Sequence, residues 1–215
     1  MKTDGLIFDL DGTLWDASQS CIMAWNSALE KIEVVDFKVT AELVEKFSGK
    51  LLSTIFTEYL SFIPDNKLQT LATVYEEEEA IFMKKYGGDL YPNTRSALES
   101  LSEQYKLFIV SNCMKGYIEN FFHLHDLAHL FTDYTCSGIT GRSKKENINQ
   151  LILRNGLKNP VYIGDTPGDY EAARQNEIPF IYAQYGFGKV TNAEFVIDDL
   201  SELEIMLTKI SIPSR

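Results

Sequence analysis

Three short, unbroken apolar runs stand out along the chain, and each ends in polar residues. They are Leu6-Ile7-Phe8 before Asp9, Leu107-Phe108-Ile109-Val110 before Ser111-Asn112, and Val161-Tyr162-Ile163 before Gly164-Asp165. Continuous apolar runs of this length, closed by turn residues, are the pattern of strands buried on both faces of a parallel sheet. Between the first and second runs the spacing changes. Ala17, Cys21, Ala24, Trp25, Ala28, Leu29 and Ile32 recur at threes and fours, which predicts one amphipathic helix. Thr40 is placed to cap a helix over Ala41–Phe47 that Gly49 ends, 51–62 forms another closed by Pro64, and 65–86 a long third. Within that third helix, the run Glu76-Glu77-Glu78-Glu79 is expected on a solvated face. No strand signal of any weight lies between Trp15 and Tyr86.

After the flexible pair Gly87-Gly88, Asn93 is expected to cap a helix over 94–104. Strand and helix then alternate: strands at 107–110, 134–136, 161–163, 180–183 and 196–197, with helices at 115–123, 146–155, 169–175 and 201–210 between and after them. Alternating elements with apolar strands imply an α/β fold, a doubly wound parallel sheet covered by helices on both faces. The organisation expected is a core domain from 1–14 and 88–215, with an α-helical module, 15–87, inserted after the first strand.

Composition narrows the partners. The chain has 215 residues, 45% hydrophobic and 24% charged, and carries a formal charge of −11. A strongly acidic surface argues against nucleic acid or an anionic membrane as partner, because both are held by basic patches. An anionic substrate must therefore meet local cations or a metal. No apolar stretch approaches the roughly 18 to 20 residues that span a bilayer. Met1-Lys2-Thr3-Asp4 leads straight into the acidic strand, with no room for a signal peptide. Cys21, Cys113 and Cys136 are an odd number without metal-ligand spacing, so a reduced, cytoplasmic protein is expected.

The candidate chemistry sits at the strand ends. Asp9 and Asp11 are two residues apart, so a strand would project both carboxylates from one face, before Gly12 and Thr13 turn the chain. Ser111 puts a hydroxyl at the end of the second run. Asp165 and Asp169 follow the third. In Ser143-Lys144-Lys145-Glu146-Asn147 an ammonium falls where a helix begins. Such positions, beyond the carboxyl ends of parallel strands, are where ligands bind. The plainer readings are an Asp-Gly turn, a Ser-Asn turn, and two acids satisfying the orphan amides of a helix start.

This order of acid pair, hydroxyl, lysine and second acid pair resembles the haloacid dehalogenase-like hydrolases, in the branch of phosphatases and phosphomutases with a helical cap. The resemblance covers nearly the whole chain. It implies a Rossmann-like core and a Mg²⁺-dependent phosphatase acting on a small phosphorylated metabolite, typically phosphoglycolate-like or a sugar phosphate. Asp9 would be the nucleophile that forms an aspartyl-phosphate, and Asp11 the general acid and base. Asp165, a carboxylate of Asp9 and the backbone carbonyl of Asp11 would hold Mg²⁺, with Asp169 either orienting those ligands or bound to the ion indirectly. Ser111, the amide of Asn112 and Thr13 would contact the phosphoryl group. Lys144 would hold Asp9 and the phosphate together, although Lys145 follows where the family usually has proline, so both lysines are candidates. The break at Phe47-Ser48-Gly49-Lys50 corresponds to the cap loop aimed at the site, which makes Lys50 a candidate substrate contact or simply a surface lysine. Gly186-Phe187-Gly188 matches a loop of this branch with no role assigned, and His123, His125 and His129 are expected to be structural.

The alternatives are a phosphomutase resembling β-phosphoglucomutase, which shares every core residue named, and a non-enzymatic receiver-like phospho-acceptor. Receiver domains are shorter and lack a helical insertion after the first acidic strand.

Overall fold

The first strand, β1 (Gly5–Phe8), is wholly buried and lies in the interior of a six-stranded sheet. The structure, a computed structural model, describes residues 2–34 and 36–210, so Met1 lies outside it. From β1 the chain passes through a two-residue strand, β2 (Trp15–Asp16), into four helices: α1 (Ser18–Lys31), α2 (Ala41–Phe47), α3 (Leu52–Tyr59) and α4 (Asp65–Lys85). It returns through β3 (Asp89–Leu90), antiparallel to β2. There follow α5 (Thr94–Ser102), β4 (Lys106–Ser111), α6 (Tyr117–His125), β5 (Phe131–Cys136), α7 (Ser137–Thr140), α8 (Lys144–Asn155), β6 (Pro160–Gly164), α9 (Pro167–Gln175), β7 (Phe180–Ala183), β8 (Phe195–Ile197) and α10 (Leu203–Lys209).

The sheet order is β5-β4-β1-β6-β7-β8, and every pairing is parallel. From β1 the chain builds outward to β4 and β5, then crosses back to β6 on the other flank and builds outward again. The order therefore reverses beside β1, and the crevice at the carboxyl ends of β1, β4 and β6 is where an open α/β sheet takes its ligand.

Side-chain alternation splits the core between two faces. Leu6, Phe8, Ile109 and Ile163 pack under α5, α6 and α10, whereas Ile7, Phe108, Val110 and Tyr162 pack under α8 and α9. The helices α1 to α4 gather a third cluster, which includes Trp25, Leu29, Val44, Phe47, Ile55, Leu71 and Tyr75. Within it the Trp25 and Tyr75 rings stack at 3.9 Å. Among the described residues no helix is long and apolar enough to cross a membrane.

Four local expectations are corrected. The stretch expected to be free of strands begins with β2, whose Trp15 and Asp16 pair with Leu90 and Asp89 of β3, so a short ribbon forms where the insertion leaves and rejoins the sheet. Two residues are too few to show alternation in a sequence. The acidic run on α4 is not one solvated face: Glu76 and Glu77 are exposed, but Glu78 and Glu79 are buried. Successive helical residues turn by about 100°, so four in a row must circle the helix. Glu78 is met by Ser27 and Lys31, and Glu79 by the Tyr75 hydroxyl at 2.7 Å. Asn93 precedes α5 in the left-handed conformation, φ 60°, and its amide reaches Asp199 at 2.9 Å instead of capping the helix. A side-chain cap requires extended backbone at that position. Thr40 has that backbone before α2, yet its hydroxyl makes no cap bond.

Candidate active site

Asp9 leaves the end of β1 with its backbone held by the Ile163 carbonyl at 2.8 Å, and the residue is 2% exposed. The Lys144 ammonium lies 2.9 Å from Asp9 Oδ2 and 2.6 Å from Asp169 Oδ1. The position of that lysine follows from how α8 starts. Ser143 accepts from the Glu146 amide while Glu146 accepts from the Ser143 amide, a capping box that sets the helix phase so that Lys144 points inward. Lys145, one position further round, is exposed. Of the two candidate lysines, Lys144 is therefore the one beside Asp9.

Asp165 follows β6 and is fully buried, accepting from the Thr13 hydroxyl at 3.2 Å and the Phe187 amide at 2.8 Å. Asp169 stands in the first turn of α9, where it forms a capping box with Thr166 and receives the Tyr162 hydroxyl at 3.2 Å. It thus satisfies a helix start and also pairs with Lys144. Asp9, Asp165 and Asp169 each offer a carboxylate oxygen within 4.8 Å of the others.

The acid cluster fits a metal ion. The donors are all carboxylate oxygens, which suit hard divalent cations. Among the described residues Asp9 Oδ1 is the one buried side-chain polar atom without a partner, and such an atom destabilises a fold unless something meets it. Burial, and next the charge of Asp169, push the Asp9 carboxyl up to about 7 despite Lys144. Burial, and then Asp169 and Asp9, push Asp165 well above the usual carboxylate range. A cation among them favours their charged forms.

Asp11 occupies a different environment. Its Oδ1 accepts from the Tyr117 hydroxyl at 2.7 Å and from the Trp15 indole at 3.0 Å. Burial pushes it up to about 6, against the pull of those two donors. The two carboxylates of the first strand are thus held by unlike neighbours, Asp9 by a lysine and Asp11 by neutral donors. Unequal environments of this kind let one acid carry a proton while the other stays ionised.

Ser111, at the end of β4, and Asn112 line the same cavity as Asp9 and Asp11. The Asn112 side chain donates to the Gly49 carbonyl at 2.8 Å and accepts from Ser137 at 2.7 Å, which clasps the loop after α2 to the sheet. Lys50 lines the cavity too, with its ammonium 3.0 Å from Glu58 and 5.8 Å from the centre of the Tyr59 ring. Thr13, beside these residues, donates its hydroxyl to Asp165. His125 packs edge-on to Trp15 at 5.9 Å, its ring nitrogen 3.0 Å from the Gly88 carbonyl, and no histidine lines the cavity.

Several contributors carried little signal in the sequence. Gly12, at φ 80°, is confined to glycine because a Cβ there would run into the Asp165 carboxylate. Gly186 is similarly close to Asp165 and to the Gly12 carbonyl, so the Gly186-Phe187-Gly188 loop packs directly against the acid cluster. Two glycines in three residues were the available hint. Tyr117 and Trp15, which hold Asp11, gave none. Trp25, Phe47, Ile55, Tyr75 and Glu79 enter the cavity from the helical insertion.

The haloacid dehalogenase-like hydrolase family model matches residues 6–183. A phosphoglycolate phosphatase of Aliivibrio fischeri is 29% identical over 196 residues, covering 85% of this chain and 84% of its own. Another, of Aquifex aeolicus, is 24% identical and covers 92% and 93%. Among solved structures, a haloacid dehalogenase-like family hydrolase of Streptococcus pneumoniae superposes with a TM-score of 0.84 at 22% identity, covering 95% of this chain and 97% of that one. The match runs from β1 to the end of β7 and contains Asp9, Asp11, Ser111, Lys144, Asp165 and Asp169. The chain belongs to the haloacid dehalogenase-like hydrolases.

Proposed function

We propose that the protein is a Mg²⁺-dependent phosphatase that hydrolyses a small phosphorylated metabolite through an aspartyl-phosphate on Asp9. The observation that carries this reading is the unpartnered, buried oxygen of Asp9, set among Asp165, Asp169 and Lys144 at the end of β1. Relatives that are phosphoglycolate phosphatases support the reaction class.

In the first step the Asp9 carboxylate attacks phosphorus, and the departing alkoxide takes the proton of Asp11. In the second, water gives a proton back to Asp11 and attacks the same phosphorus, releasing inorganic phosphate and free Asp9. Asp9, Asp165 and the backbone carbonyl of Asp11 would hold Mg²⁺, which would supply positive charge to the phosphoryl oxygens. Lys144 is a second cation beside the nucleophile, and Asp169 keeps it there. The Ser111 hydroxyl and the Asn112 amide donate to phosphoryl oxygens, and Thr13 acts indirectly by steadying Asp165. The insertion, 15–87, serves as the cap: it excludes water from the cavity and presents Lys50 and its apolar residues to the leaving group. The three free thiols suit a reducing cytoplasm.

Asp9→Asn is expected to abolish turnover of 4-nitrophenyl phosphate in Mg²⁺. Full turnover by that variant, beside an active wild type, removes Asp9 as nucleophile. Phosphate release measured over a metabolite panel, with phosphosugar isomerisation followed in parallel, distinguishes a phosphatase from a mutase.

A further inference from the structure

The cavity has two unlike ends. At the sheet lie Asp9, Asp11, Ser111 and Asn112, the machinery already described, with Cys113, Met114, Tyr117 and Phe187 beside them, and the insertion supplies the opposite wall. Its walls are apolar, formed by Trp25, Val44, Phe47, Leu52 and Ile55. Within this lining stands Glu79, which is 7% exposed. The Tyr75 hydroxyl, one turn earlier on α4, donates to Glu79 Oε1 at 2.7 Å, and Oε2 has no partner among the described residues. Tyr75 is in turn fixed by its stack on Trp25. Lys50 is the one cation in the lining, and it is already paired with Glu58.

The Glu79 carboxyl is largely buried, but its unbonded Oε2 is open to water in the cavity, so a ligand that displaces that water without offering a donor leaves the oxygen unpaired, which is unfavourable. With or without its proton a carboxyl retains acceptor capacity. Apolar walls around it suit a carbon skeleton, and the cation in the lining, Lys50, already has its charge met by Glu58.

On the phosphatase reading above, we infer that Glu79 determines leaving-group specificity: it accepts a hydrogen bond from a hydroxyl or ammonium on a compact, otherwise apolar alcohol. Leaving groups that end in a carboxylate, such as glycolate, are disfavoured. The substrate class is thus the phosphate monoester of a small amino alcohol or diol.

The test is kcat/KM in Mg²⁺ for four matched esters: propyl, 3-hydroxypropyl, 3-aminopropyl and 2-carboxyethyl phosphate. At least one donor-bearing ester is expected to exceed propyl phosphate by about fivefold or more, the gain from one added hydrogen bond, and the carboxylate ester to rank last. The advantage should vanish in Glu79→Leu, read as the ratio between esters within the variant. In Glu79→Gln, which retains an acceptor, the hydroxyl preference should persist and the ammonium preference should drop. A donor advantage below fivefold, a carboxylate ester ranked first, or a ratio unchanged in both variants overturns the assignment of Glu79. If 4-nitrophenyl phosphate is still hydrolysed and Asp9→Asn abolishes it, such a result leaves the phosphatase reading standing. If neither the aryl phosphate nor any ester is hydrolysed, both readings fall.

Discussion

Replacing Lys144 by Met removes one charge and keeps most of the buried stem, so it isolates what the ammonium does. Lys144 is 5% exposed and sits 2.9 Å from Asp9 and 2.6 Å from Asp169. At an effective dielectric of about 20, charges at these separations attract by roughly 6 kcal/mol each. The whole of that is not lost, because the Asp9 carboxyl, already pushed up to about 7, can take a proton when its cation goes. Removing one partner of a buried pair typically costs about 3 to 5 kcal/mol, which is the loss expected for Lys144→Met at pH 8.

The sign of the pH dependence is set by that same carboxyl. A folded-state value raised from 3.8 to about 7 means that the contribution to stability is greatest at low pH and is lost as pH rises through 7. Without Lys144, which holds the value down, the loss extends to higher pH. The deficit of the variant should therefore be smaller at pH 5 than at pH 8. Urea unfolding in EDTA measures it, with Lys145→Met as control. That exposed residue should change stability by no more than about 0.5 kcal/mol. A Lys144→Met protein within about 1 kcal/mol of wild type at pH 8, or an equal loss in the Lys145 variant, refutes the argument.

The other predictions concern separate parts of the site. Burial pushes Glu79 up from 4.5 to about 8, so it favours the folded state at low pH and ceases to as pH rises through 8; Glu79→Gln should flatten the stability profile between pH 5 and 9, and an unchanged slope in denaturant titrations would rule that out. Tyr117→Phe deletes the 2.7 Å bond that draws Asp11 down from its raised value of about 6, so the pH profile of aryl phosphate hydrolysis should move to higher pH while Mg²⁺ affinity holds. Asp11→Asn should turn over slowly with metal binding intact, and undiminished rates would take Asp11 out of acid–base duty. Mg²⁺ should raise the thermal midpoint of wild type, by the equivalent of about 2.7 kcal/mol at a hundredfold excess over Kd, and scarcely that of Asp165→Asn; equal shifts in both would place the ion elsewhere.

Much of the site was readable before any coordinates. A strand buried on both faces must be a continuous apolar run, and its polar end is where the sheet meets solvent, so Asp9, Ser111 and Asp165 announced themselves as strand-end residues. The helix expected over 146–155 is α8, but it begins two residues earlier, at Lys144, because Ser143 and Glu146 form a capping box. Less was readable for α4 and the residues around Asp11. Periodicity shows that 65–86 is a helix, but the burial of Glu79 beside Tyr75, one turn earlier, depends on which face of α4 packs on α1, where Tyr75 stacks on Trp25. Tyr117 and Trp15 meet on Asp11 from elements separated by the entire insertion.

Chain order and local pattern alone determined that a parallel sheet would carry acids and a hydroxyl at one edge, with a helical module beside them, because each strand and most helices are encoded within their own residues. Tertiary packing decided which lysine of an adjacent pair reaches Asp9, which glutamates of a run of four turn inward, and which side chains line the cavity beside Asp9. Those outcomes depend on the phase of one helix against its neighbours, and burial of a charged side chain is settled by the partner it finds across the fold.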